Sequence, residues 1–317
     1  MTSAPEFASL WAPSPMDRAR DQILFVSRDG EPVSAGQATL SLFDPAVLYG
    51  QAAFETFRGY GGRTPGLDLH LDRLAASARA AGLRWPHPGS SRAAVEEAVA
   101  AASAGEGPGN PSARVLRVVV VPGAPAPGET RRPPFPSTFD HPRVWVWAQA
   151  GPPPPDPGRP EPLAAVLQAD RHHPVPAAKL TSYMGAWASL RAAAEEGADD
   201  AIWHREGRVT EGPTANVLAW IEGAWWAPDP RDRALDGVTR RLLLDALATR
   251  DIPVQVRPLP VERLQQAEEI VLTSSVREVA SVVTLDGRPV GSGRVGPRAR
   301  QAHRLYRAQW TEAIRAP

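Results

Sequence analysis

Lys179 is the only lysine in the 317-residue chain; the other 34 of its 35 basic Lys and Arg residues are arginine. Arginine neither gives up its proton nor forms an imine, whereas lysine does both. A chain that uses arginine elsewhere and keeps one lysine marks a position where arginine would not serve. The bland alternative is a surface lysine. Lys179 lies in Pro176–Tyr183 (PAAKLTSY), between a predicted strand and a predicted helix. Three further stretches carry suitable groups. Gly207–Asn216 (GRVTEGPTAN) feeds Glu211 into a loop of small residues, where a carboxylate could face a cationic ring nitrogen or simply sit exposed on a hairpin. Leu235–Leu244 (LDGVTRRLLL) puts Gly237 before a helix that Thr239 can cap, and free N–H groups at a helix start favour a phosphate. Any capped helix looks similar. Leu272–Val279 (LTSSVREV) ends a strand in three hydroxyls, which suits an anion or an ordinary turn.

These residues need a scaffold. Gln22–Ser27 and Glu31–Ala35 read as a hairpin around Asp29-Gly30. Ala53–Tyr60 alternates apolar and polar residues, as a half-buried strand does, and Gly61-Gly62 then turns. Leu69–Leu83 is amphipathic, with Leu71, Leu74, Ala78 and Ala81 on one face. Ser91–Ala102 is a second helix. Arg114–Val121 and Arg143–Ala148 read as strands, and apolar residues on both faces of the first predict burial. Beyond them come a strand at Leu163–Ala169 and a helix at Ser182–Glu196, ended by Gly197. Strands at Asp200–His204 and Asn216–Ile221 flank a turn at Glu206-Gly207. Then follow a helix at Thr239–Arg250, strands at Ile252–Val256 and Glu269–Thr273, and a terminal helix at Gly296–Gln309.

Proline is the compositional outlier, with 35 residues beside 26 glycines. It clusters at Val121–Pro136 and Gly151–Pro162, runs that continue neither a helix nor a central strand. The expected organisation is a small N-terminal α/β domain over 1–149, with residues 1–20 loose, a Pro-rich linker over 150–161 and a C-terminal domain over 162–317. Formal charge is zero, which argues against a broadly basic nucleic-acid binder. The absence of cysteine excludes disulfides, thiolate catalysis and Cys-ligated metals. No metal site is expected. No apolar run approaches the ~18 residues of a membrane span, and Met1–Gln22 lacks the layout of a signal peptide. The expectation is a cytoplasmic protein with no membrane partner.

Taken in order, the blocks resemble one family, the class IV aminotransferases, or fold-type IV pyridoxal-phosphate enzymes. The likeness runs through Tyr49–Arg58 (YGQAAFETFR), His70–Ser77 (HLDRLAAS), Lys179, Gly197–Ile202 (GADDAI), Val209–Asn216, Gly237–Arg240, Thr273–Glu278 and Gly287–Gly293 (GRPVGSG). It implies an α/β (α+β) fold with a larger, barrel-like C-terminal domain, and pyridoxal 5'-phosphate as cofactor. Lys179 would form the Schiff base and shuttle the proton. Glu211 would face the pyridine nitrogen, and Tyr183 the phenolic oxygen. Arg73, Val238, Thr239, Ser274 and Ser275 would hold the phosphate. Phe54 and Arg117 would meet the substrate, and the family's layout implies a homodimer with active sites near the subunit interface.

Within the family the blocks conflict. Val115–Gly123 (VLRVVVVPG) carries Arg117 with apolar neighbours, nearer the lyases than the branched-chain enzymes. The Arg-x-His carboxylate trap of the D-amino-acid enzymes is missing from Gly123–Glu129, yet His204–Gly212 is close to their pattern. The 287–297 segment is close to the branched-chain one. Three readings stay open: an amino-acid transaminase, a 4-amino-4-deoxychorismate lyase releasing pyruvate and 4-aminobenzoate, and a non-enzymatic protein on this scaffold.

Overall fold

The computed structural model describes residues 23–60, 62–104, 114–123, 141–153, 155–172 and 175–315, with side chains as far as residue 309. The loose N-terminal stretch, Gly61 of the expected turn and most of the Pro-rich run at 121–136 lie outside the described residues.

The first sheet is antiparallel throughout. It holds β1 (Ile23–Arg28), β2 (Glu31–Pro32), β3 (Ala53–Gly59), β4 (Arg114–Val121) and β5 (Arg143–Ala150), in the order β2-β1-β5-β4-β3. A short helix α1 (Pro45–Tyr49) precedes β3, and α2 (Leu67–Ala80) and α3 (Arg92–Ser103) cover one face. Leu71 and Leu74 of α2 and Val95 and Val99 of α3 pack there on Phe57, Leu116, Val118 and Val146. Ser91 caps α3 by accepting the Ala94 N–H at 3.2 Å.

Two expectations for this sheet need correction. The two faces of β4 are buried unequally: Leu116, Val118 and Val120 are fully buried on one, while on the other Val121 joins a small core with Val26 and Trp145 and Val115, Arg117 and Val119 are half-buried. β3 does not alternate between core and solvent. Its polar residues Glu55 and Arg58 are buried too, because each has found partners. Arg58 donates to the Val276 and Pro152 carbonyls, both at 2.8 Å.

The second sheet has ten strands and curls into a half-barrel. In chain order they are β6 (Pro162–Ala169), β7 (Asp200–Arg205), β8 (Arg208–Val209), β9 (Asn216–Ile221), β10 (Ala224–Ala227), β11 (Val254–Val256), β12 (Leu259–Pro260), β13 (Glu269–Ser274), β14 (Glu278–Leu285) and β15 (Arg288–Pro289). β6 runs parallel to both β7 and β14, and a parallel pair needs a crossover. Helix α4 (Met184–Glu195) supplies it for β6 and β7. Gly197, at φ 76°, turns the chain out of α4. Helices α5 (Val238–Ala248), α6 (Val261–Gln265) and α7 (Pro297–Arg315) complete the chain, with Leu243 and Leu247 of α5 packed on Ala299, Ala302 and Tyr306 of α7.

Four hairpins turn on an acidic residue and a glycine: Asp29-Gly30, Glu206-Gly207, Glu222-Gly223 and Asp286-Gly287. All eight residues have positive φ, which matches the twist of the flanking strands. The Glu206-Gly207 turn joins β7 to the two-residue β8, and β9 begins beyond the Glu211 loop. Strands β10 and β14 were not expected at all.

Candidate active site

A cavity of about 300 Å³ opens between the two sheets. The free face of β3 and β4 forms one wall. Side chains two apart share a face, so Phe54 and Thr56 point the same way, and register sets Thr56 opposite Arg117. Arg117 Nε donates to Thr56 Oγ1 at 3.1 Å, and its guanidinium lies 5.0 Å from the Phe54 ring centre and 5.8 Å from that of Trp147. No carboxylate pairs with it among the described residues. Burial pulls its pKa below the ordinary guanidinium value.

The Lys179 segment forms the second wall, joined to the first sheet by its main chain. The Phe54 N–H donates to the Lys179 carbonyl at 3.0 Å, and the Thr181 N–H to the Ala52 carbonyl at 2.9 Å. Ala178 and Leu180 are buried in the core of the first sheet. The Lys179 Nζ stands 4.5 Å from the Phe54 ring centre and 3.4 Å from Tyr183 Oη. Tyr183 is the N-cap residue of α4, and its ring meets that of Phe54 edge-on at 5.2 Å.

Glu211 lies across the cavity, 7% exposed. Its Oε2 accepts from Asn216 Nδ2 at 2.8 Å and from the Leu235 N–H at 2.9 Å. Its Oε1 is 2.6 Å from His172 Nε2. Burial raises its pKa above the usual carboxylate range, and the His172 contact is the first influence opposing that rise.

The remaining wall is built to meet an anion. Gly237, not Thr239, takes the N-cap of α5, with Val238 and Thr239 in the first turn. A side chain at Gly237 would strike the Asn216 amide oxygen, so the helix start packs hard against the residue that holds Glu211. Thr273, Ser274 and Ser275 line the same end, and Thr273 Oγ1 is buried with no hydrogen-bond partner. Arg73 reaches this wall from α2. A bidentate contact with Glu55 at 2.7 and 2.8 Å and a bond to the Asp236 carbonyl at 2.9 Å hold it. Burial opposes its charge, and Glu55 outweighs burial, raising its pKa.

All ten residues expected at the site, namely Phe54, Arg73, Arg117, Lys179, Tyr183, Glu211, Val238, Thr239, Ser274 and Ser275, line this one cavity. Sequence reasoning missed Glu55, Thr56, Asn216 and His172, and noted Thr273 only as one of three strand-end hydroxyls. The first two were visible as polar residues inside a strand, and Asn216 closed a block already noted. His172 had no local signal, since Glu211 is 39 residues away.

An amine, a buried carboxylate and an anion-seeking wall facing one another, on this architecture, define a fold-type IV enzyme of amino-group transfer. The family model for amino-transferase class IV matches residues 52–285, and the chain belongs to that family. It is 27% identical over 282 residues to a D-alanine aminotransferase of Listeria monocytogenes, covering 89% of this chain and 94% of that one. The PLP-bound form of a hypothetical aminotransferase from Mycobacterium tuberculosis superposes with a TM-score of 0.77 at 26% identity, covering 91% and 99% of the two chains. A branched-chain aminotransferase from Thermoproteus uzoniensis shares the fold, with a TM-score of 0.75 at 24% identity over 90% and 94%. The enzyme is a pyridoxal-phosphate-dependent transaminase acting between an amino acid and a 2-oxo acid. These relatives are aminotransferases, and the lyase alternative draws no support from them. The cavity suits the cofactor on its own terms: the orphaned Thr273 hydroxyl and the α5 N–H groups call for a phosphate, and the buried carboxylate calls for a protonated ring nitrogen.

Among the described residues, no helix is long and apolar enough to cross a membrane.

Proposed function

We propose that this transaminase carries its cofactor covalently on Lys179 and takes a small D-amino acid as amino donor. The observation that carries the reading is the convergence of Lys179, Glu211 and the orphaned Thr273 hydroxyl on one cavity. The donor class follows the D-alanine aminotransferase that matches across most of both chains.

The bound cofactor supplies an electron sink for the pair left at the substrate's α-carbon. The protein's residues do the rest. Lys179 Nζ moves the proton at that carbon, and the Tyr183 hydroxyl 3.4 Å away orients it. Glu211, with both oxygens hydrogen-bonded, holds a proton on the ring nitrogen. Arg73, Ser274, Ser275, Thr273 and the N–H groups of Val238 and Thr239 bind the phosphate. Arg117 grips the substrate carboxylate through its two-pronged fork, with Phe54 packed beneath.

The domain division at 1–149, 150–161 and 162–317 belongs to this reading. In its support, among the described residues every strand through Ala150 belongs to the first sheet and every strand from Pro162 to the second. A cytoplasmic homodimer is part of it as well. Leu42, Phe43, Met184 and Trp187 are 76%, 70%, 73% and 55% exposed. Met184 and Trp187 follow Thr181 and Ser182, whose hydroxyls donate to the Gly50 carbonyl, and Ser182 lines the cavity. A second copy would cover these exposed apolar side chains.

Borohydride reduction and peptide mapping test the assignment, with the label expected on Lys179. A label on the N-terminal amine alone, or full turnover in Lys179→Ala, rejects it. Sedimentation at assay concentration should give a species of twice 34.0 kDa. A fully active 34.0 kDa species rejects the dimer.

A further inference from the structure

Behind Glu211 stands a row of buried ionisable groups that the chemistry above leaves unused. His172 Nε2 is 2.6 Å from Glu211 Oε1, and His172 Nδ1 is 2.5 Å from Asp170 Oδ1. The same Asp170 oxygen accepts the His172 main-chain N–H at 2.7 Å, and the other accepts Arg233 Nε at 3.2 Å. The side chains of Asp170, His172 and Glu211 are 5%, 6% and 10% exposed. The indole of Trp203 meets the imidazole edge-on, with ring centres 4.6 Å apart.

A neutral imidazole has one N–H and one bare nitrogen. Between two carboxylates the bare nitrogen would face an oxygen lone pair. Only the imidazolium donates to both. We infer that Asp170 and His172 form a positioning relay, an imidazolium clamped between two carboxylates that keeps Glu211 ionised and fixes its orientation. The inference rests on the proposed role of Glu211 toward the ring nitrogen.

The surrounding charges agree. Burial works against the charge on His172, and the contacts and fields of Glu211 and Asp170 outweigh it, raising its pKa. Burial also pushes Asp170 up, and His172 and Arg233 together bring it below its ordinary value. Arg171, the next residue in the chain, lines the cavity. Lys179 acts on Glu211 at longer range, as do Arg73 from α2 and Arg240 from α5. Because the His172 pKa is raised, the clamp is complete below the ordinary imidazole value and is lost as pH rises through the higher one.

The test is a histidine ¹⁵N NMR titration of the full chain loaded with pyridoxal phosphate, with kinetics on the same samples. His172 is assigned by its contact with the Trp203 indole and by loss of its signals in His172→Gln. Both ring nitrogens should stay protonated as the pH rises past the ordinary imidazole midpoint of about 6.5. Asp170→Asn should lower the His172 midpoint by about one unit or more. In both variants kcat should fall roughly tenfold with KM little changed. A neutral His172 in the wild type, or an unchanged midpoint in Asp170→Asn, overturns the relay. Should the variants fail to fold, the wild-type titration decides alone. Glu211→Gln separates the two readings. Full turnover in that variant rejects the role given to Glu211 and leaves the titration result standing. An inactive Glu211→Gln beside normal His172→Gln and Asp170→Asn rejects the relay alone.

Discussion

Glu55 anchors Arg73 at the end of the cavity lined by Val238, Thr239, Ser274 and Ser275, and replacing it with glutamine tests that directly. The residue is fully buried on the helix-facing side of β3. There it takes two bonds from Arg73 and one from His70 Nδ1 at 2.8 Å. Burial pushes its carboxyl up, but Arg73 first and His70 next bring it down from 4.5 to about 2. At ~1.4 kcal/mol per pKa unit, the surroundings favour the charged form by about 3 kcal/mol. Glutamine keeps the shape, loses the charge and turns an NH₂ toward donors. It also strands the Arg73 guanidinium, and breaking a buried pair from one side costs ~3–5 kcal/mol. In a chain of this size each kcal/mol moves the melting temperature by ~2–4 °C, so Glu55→Gln should melt roughly 6–20 °C lower at neutral pH. Circular dichroism melts measure this, and cofactor titration should show weaker binding because Arg73 has lost its support. The folded pKa is depressed, so the wild-type advantage is fully present above the ordinary carboxylate value and fades as pH falls through about 2. A variant melting within about 2 °C of wild type at pH 7, or a gap that widens as the solution is acidified, refutes the reasoning.

Two further outcomes are expected. Arg117→Lys keeps the charge and loses the fork, so KM for the amino acid should rise about tenfold with little change in melting temperature. Steady-state kinetics beside a melt check this, and lost stability with normal KM would mean a structural arginine instead. Gly237→Ala forces a methyl group against the Asn216 amide and should loosen Glu211 from its donors. A destabilisation of about 1–3 kcal/mol and weaker cofactor retention, read by melting and by dialysis, are the expected signs.

Elements with a strong period were legible in the sequence. Helix α2 shows its buried stripe of Leu71, Leu74 and Ala78, and α3 carries a serine cap. What was missed lacked a period. Strand β14 is buried at Glu278 through Ser281, so it shows no alternation, and its buried Glu278 reads locally as solvent-facing. That carboxylate is instead satisfied by His303 from α7 at 2.8 Å and by Tyr60 from the end of β3 at 3.1 Å, a pairing no local pattern announces. Strand β10 is only four residues long, AWWA, beyond a Glu-Gly turn. The site divides along the same line. Lys179 stood out as the chain's single lysine and Glu211 by its block, whereas His172 and Glu55 owe their importance to partners brought together by the tertiary fold.

The segment that bears Lys179 follows β6 in the chain, yet its backbone extends the first sheet, with the Lys179 carbonyl and the Thr181 N–H bonded to Phe54 and Ala52. The Lys179 amine is therefore encoded with one sheet and mounted on the other. Recombination at the 150–161 junction, the obvious crossover for chimeras between relatives, would part Ala52–Phe54 from the backbone it selects. A hybrid that keeps the amine in register must exchange both segments together. A truncation meant to isolate the first sheet must carry residues 178–181 along, or leave the seats of Ala178 and Leu180 in its core empty.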